Sequence, residues 1–77
     1  MPHISIKMLK GRTDEQKNLA VKKVSEALCE ALGCADKHVS VSIEDFTAQE
    51  WQGVFAEEIA DNSHVLKKPE YDPKDLL

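Results

Sequence analysis

The strongest constraint on this chain is a change of hydrophobic period within its first 46 residues, from two to about three and a half and back to two. Ile4, Ile6 and Met8 alternate with His3, Ser5 and Lys7, the pattern of a strand over 3–9 with one buried face. Ala20, Val21, Val24, Ala27, Leu28, Ala31 and Leu32 then recur at spacings of three and four. That spacing predicts an amphipathic helix of about five turns, with Lys17, Lys22, Lys23, Glu26 and Glu30 on its wet face. Val39, Val41 and Ile43 alternate again with Ser40, Ser42 and Glu44, a second strand over 38–46. Strand, long helix and strand at this spacing make one βαβ unit, with parallel strands and a right-handed crossover.

The punctuation agrees. Gly11 suits a turn after the first strand. Thr13-Asp14-Glu15-Gln16 reads as a capping box, with two acids in the first helical turn, and Gly33 suits the helix end. A second box, Thr47-Ala48-Gln49-Glu50, opens a shorter helix through about Ala60 whose apolar stripe is Trp51, Val54, Phe55 and Ile59. The tail Ser63–Leu77 carries Pro69, Pro73 and many charges, with one more helical turn expected near His64–Lys68.

With 77 residues, the chain is read as a single domain, 1–77, of the α+β class. A domain this small buries only about 60% of its unfolded surface, so it calls for a staple or a partner. Two strands are marginal in water. A second copy pairing strand to strand completes a four-stranded sheet with two helices on one face, so a homo-oligomer is expected. The other staples are weak. Cys29 and Cys34 lack CxxC spacing, and no leader pattern precedes the first strand, so buried or half-buried reduced thiols in a cytoplasmic protein are expected. His3, His38 and His64 are scattered without metal-ligand spacing, so no metal is expected. No apolar run approaches a membrane span. The net charge of −4, without a basic stripe, argues against nucleic acid and anionic membranes as partners.

Two residues could carry chemistry. Pro2 becomes an N-terminal secondary amine once Met1 is removed. An apolar pocket or a nearby cation lowers such an amine from its usual value of about 8 toward neutrality, where it is an effective general base. Arg12 lies just before the helix cap, where a guanidinium can hold a carboxylate bidentately beside an anion-friendly helix start. Each also has a plain alternative: a chain terminus and a solvated cation.

Met1-Pro2, the alternating Ile4 and Ile6, then Gly11-Arg12-Thr13-Asp14-Glu15-Gln16-Lys17 and Val24-Ser25-Glu26-Ala27 together resemble the 4-oxalocrotonate tautomerase family. The likeness runs on through Val39–Ile43 to about Trp51. The later part, with Trp51-Gln52 and Lys67-Lys68-Pro69-Glu70-Tyr71, resembles the dimeric PptA-type branch. The resemblance implies the tautomerase βαβ fold and a cofactor-independent keto–enol isomerase acting on a small 2-oxo acid or its enol. It implies Pro2 as the catalytic amine and Arg12 as the carboxylate-binding residue. Trp51 takes the place of an aromatic pocket wall, although a helix residue in the dimer core reads the same way. The family's second arginine falls on Ser40, which can donate one neutral hydrogen bond, weaker than a guanidinium contact. That departure points away from dicarboxylates and toward a phenylpyruvate-like monocarboxylate. With the longer C-terminal part, it favours a homodimer over a hexamer. Other chemistry of this superfamily on oxo or haloacrylic acids, and a non-enzymatic dimeric module that keeps Met1, are the alternatives.

Overall fold

A computed structural model describes all 77 residues, Met1–Leu77. They form two compact units, Met1–Asp45 and Phe46–Leu77, taken here in turn.

The first unit is built from β1 (His3–Leu9), α1 (Asp14–Leu32) and β2, which starts at Ser40 and ends at Phe46. The strands pair in one two-stranded sheet. His3 bonds to Ser40 and Lys7 to Glu44, both at a separation of 37 residues. A constant difference means that the strands run parallel, since antiparallel pairs would keep a constant sum. At that register His3, Ser5 and Lys7 stand beside Ser40, Ser42 and Glu44 on one face, and Ile4, Ile6 and Met8 beside Val41, Ile43 and Asp45 on the other.

α1 begins as its sequence predicts. The Thr13 hydroxyl accepts from the Gln16 N–H at 3.1 Å, and the Thr13 N–H donates to the Gln16 side chain at 2.9 Å. It ends at Gly33, which takes a φ of 69° and returns its N–H to the Cys29 carbonyl. The helix runs antiparallel to the strands. Near its start Lys17 pairs with Asp45 at the end of β2, and near its end Ser25 and Cys29 face Val39 and Val41. Lys17, expected on the wet face, is therefore half-buried: position 17 lies three residues before Ala20 and so falls on the packed stripe. Ala27, Ala31 and Leu32, expected on the packed face, are exposed. The reason is where the packed stripe runs. A two-stranded sheet about 10 Å wide ends at the edge of the helix, and the half-buried stripe runs through Val21, Ser25, Leu28 and Cys29, which turns Ala27 and Ala31 outward. No residue of α1 is fully buried. A short 3₁₀ turn, Asp36–His38, takes up the first residue assigned by pattern to the second strand.

The second unit opens with the other capping box. The Thr47 hydroxyl accepts from the Glu50 N–H at 3.1 Å, and α2 (Ala48–Val54) follows. The helical path continues to Ile59, but over Phe55–Ile59 it widens to a π-turn, closed by the Ala60 N–H on the Phe55 carbonyl at 2.8 Å. Asp61 then takes a positive φ of 53°. The helical turn expected near His64–Lys68 does not form. Asn62 starts a tight turn instead, its side chain accepting from the His64 N–H at 2.9 Å, and Pro69 pushes Lys68 away from helical geometry. The tail's helical turn lies later, at Pro73–Leu76, and is 3₁₀. Trp51 is buried, edge-on to Phe46, and its indole N–H donates to the Tyr71 hydroxyl at 2.9 Å. Gln52 donates to the Pro73 carbonyl at 2.7 Å, so the tail is pinned to α2 at two points.

Candidate active site

Parallel pairing puts the starts of both strands at one end of the sheet, and this brings Pro2 and Ser40 together. The Ser40 N–H donates to the Pro2 carbonyl at 3.2 Å. Pro2 is half-buried there. While Met1 is attached, the Pro2 nitrogen is an amide and has no basic lone pair.

Ser40 has a partner that its strand pattern alone did not suggest. Its hydroxyl lies 2.6 Å from His3 Nδ1, and the Ser42 hydroxyl lies 3.4 Å from His3 Nε2. The imidazole therefore stands across the outer face between two serines. With the proton on Nδ1, His3 donates to Ser40 and accepts from Ser42, which leaves the Ser40 hydroxyl proton free for a ligand. The signal was present in the sequence: His3 and Ser40 both hold outward positions at the first step of their strands.

Arg12 is elsewhere. It follows β1, and its Nη1 donates to the Leu9 carbonyl at 3.3 Å. The seven residues of β1 lie between it and Pro2, a separation of about 23 Å at the strand rise. No arginine side chain and small acid together span that distance. One copy of the chain therefore brings Pro2 and Ser40 together and holds Arg12 apart. Trp51 belongs to the second unit, where Tyr71 occupies its N–H. A depression of about 790 Å³ between α1 and β2 includes none of Pro2, Arg12 and Ser40 in its lining. No helix is long and apolar enough to cross a membrane.

Comparison with known proteins gives this arrangement a family. Residues 2–61 match the family model described as tautomerase enzyme. The chain is 43% identical over 61 residues to a 2-hydroxymuconate tautomerase of Comamonas testosteroni, covering 77% of this chain and 97% of that protein. It is 33% identical over 73 residues to the tautomerase PptA of Escherichia coli O127:H6, covering 92% of this chain and 97% of that one. Among solved structures, the 4-oxalocrotonate tautomerase homologue YwhB superposes with a TM-score of 0.60 at 45% identity, over 61% of this chain and 77% of that one. With the parallel βαβ unit in place and most of its length matched, the chain belongs to the tautomerase family, in the 4-oxalocrotonate tautomerase group, and is an isomerase.

Proposed function

We propose that the chain, freed of Met1, tautomerises the enol of a phenylpyruvate-like 2-oxo monocarboxylate with the Pro2 amine as the base. The observation that carries this reading is the placement of Pro2 at the start of β1, half-buried and tied by its carbonyl to Ser40. An amine there stands on rigid strand scaffold. Half-burial disfavours its protonated form and moves it toward the neutral range, where a base works best.

The enol hydroxyl gives its proton to the Pro2 nitrogen. The enol carbon takes a proton from the resulting ammonium, and the oxygen becomes the ketone. Charge that builds on that oxygen is met by the Ser40 hydroxyl, aimed by His3. The carboxylate is held by Arg12 of a second copy, because the chain's own Arg12 is about 23 Å away along β1. A two-fold axis that sets the sheets side by side and antiparallel brings the Leu9 end of one β1 to the Pro2 end of the other. A homodimer follows from the same geometry, and the cytoplasm, where initiator methionine is removed, is its proposed location. Trp51 is the proposed apolar wall. Its indole N–H is already committed to Tyr71, so it offers ring surface and no hydrogen bond.

Ser40 sets the substrate preference. A neutral donor holds a second carboxylate less firmly than a guanidinium, by about 1 kcal/mol or more. The 2-hydroxymuconate named for the relatives is a diacid, and it should turn over more slowly here than phenylpyruvate enol. Comparable turnover of the two removes the substrate assignment and leaves the base untouched.

The base is tested on protein whose mass shows Met1 gone, by following enol absorbance. Pro2→Ala keeps a primary amine, so the rate should fall by about 10²-fold or more, within the usual range of general-base catalysis, without vanishing. Protein that keeps Met1 should be inactive. Full activity in either form overturns the reading.

A further inference from the structure

The two cysteines, unremarkable by spacing, meet in the fold. Cys29 lies in the last turn of α1, and Cys34 directly follows Gly33, whose left-handed backbone turns the chain back. The Gly33 N–H is held on the Cys29 carbonyl at 2.9 Å. This turn lays Cys34 Sγ 3.6 Å from Cys29 Sγ, within reach of a thiol hydrogen bond. Both thiols are free and half-buried, so small solutes can reach them. A disulfide needs its sulfurs about 2.05 Å apart, so closure brings them about 1.5 Å nearer. The helix cap has already closed the intervening backbone, which leaves little chain entropy to lose. Burial, together with the hydrogen bond to Cys34 and the nearby charge of Cys34 and Asp36, pushes the Cys29 thiol above its ordinary range. Cys29 therefore holds its proton more firmly than an ordinary thiol, which favours Cys34 as the sulfur that reacts first.

We propose that Cys29 and Cys34 are a modification site, a thiol pair that hydroperoxides convert to a disulfide between the end of α1 and the segment entering β2. The Cys34 thiolate attacks the peroxide, the O–O bond breaks, and the products are the Cys34 sulfenic acid and hydroxide. The Cys29 sulfur then attacks the Cys34 sulfur, the S–O bond breaks, and the Cys29 proton leaves with the oxygen as water. Two thiols lose one electron each, and one peroxide becomes two waters once the hydroxide is neutralised. The bond fastens α1 to the residues that lead directly into Ser40.

The test is an intact mass of the reduced full chain after a slight molar excess of hydrogen peroxide, with remaining thiols capped by iodoacetamide. The expected product is a monomer lighter by two hydrogens that takes no label and accepts two labels after dithiothreitol. Cys29→Ser and Cys34→Ser should never show that loss. They should carry oxygen on the remaining sulfur or link covalently between copies. Wild-type protein that still takes two labels overturns the proposal. So does a product with sulfinic acid at both positions, one linked only between copies, or the same mass loss in either variant.

Discussion

Ser40 shows how much a single position does in so small a chain. Its backbone N–H holds Pro2, its hydroxyl meets His3, and in the proposed reading it offers a neutral donor beside the base. The strand pattern placed Ser40 on the outer face, but not the imidazole beside it, because cross-strand partners depend on a register that composition does not encode. Contact also changes Cys29, whose thiol is held above its ordinary range by burial first and by Cys34 second. The sign of the consequence follows from linkage. In the alkaline range the folded chain holds the Cys29 proton that the unfolded chain releases, so stability is full below the ordinary thiol value and declines above it. Denaturant titrations at about pH 8 and about pH 10 should show a loss that is smaller in Cys29→Ser, whose hydroxyl does not titrate there. An equal loss in both proteins removes the effect assigned to Cys29.

At the scale of elements the sequence was most legible, and the capping boxes show why. Each rests on residues three apart in the chain, so its geometry is complete before any tertiary contact forms. Thr13→Ala should cost about 1 kcal/mol, read as a lowered melting temperature, and Thr13→Ser should recover most of it. Both strands and α1 fall where alternation and helical spacing put them, because these periods report burial directly. What escaped depended on long-range partners. Lys17 reads as a solvent residue by type, but Asp45 claims it from 28 residues away. The turn at Asn62 won over helix in the tail through a local side-chain bond, and the π-turn at Phe55–Ile59 has no period of its own to detect. Of the candidate site, Pro2 and Ser40 were each legible by their places at the strand starts, and the register that joins them came from the fold. The separation of Arg12 was not read from the sequence, which grouped it with Pro2; it emerged when the length of β1 was set against the reach of a side chain.

At the scale of the whole molecule, the exposed residues ask for company. Leu19 is 56% exposed and Leu32 is 64% exposed, both on a helix that its two strands cannot cover. In the proposed arrangement a second copy supplies the missing arginine and is the natural cover for such surface. Complementation tests this directly. Arg12→Ala and Pro2→Ala chains, each weak alone, should regain about a quarter of the wild-type rate when mixed and allowed to exchange subunits. The mixed pairs are half of the population, and each has one intact site. No recovery on mixing would mean that both residues serve from one chain. The length of β1 thereby acquires a genetic meaning. Where a chain borrows its neighbour's arginine, a cell carrying one good and one Arg12-defective copy of the gene builds mixed pairs in which the sound protein's proline is the one disabled, so the defect spreads to the product of the healthy allele.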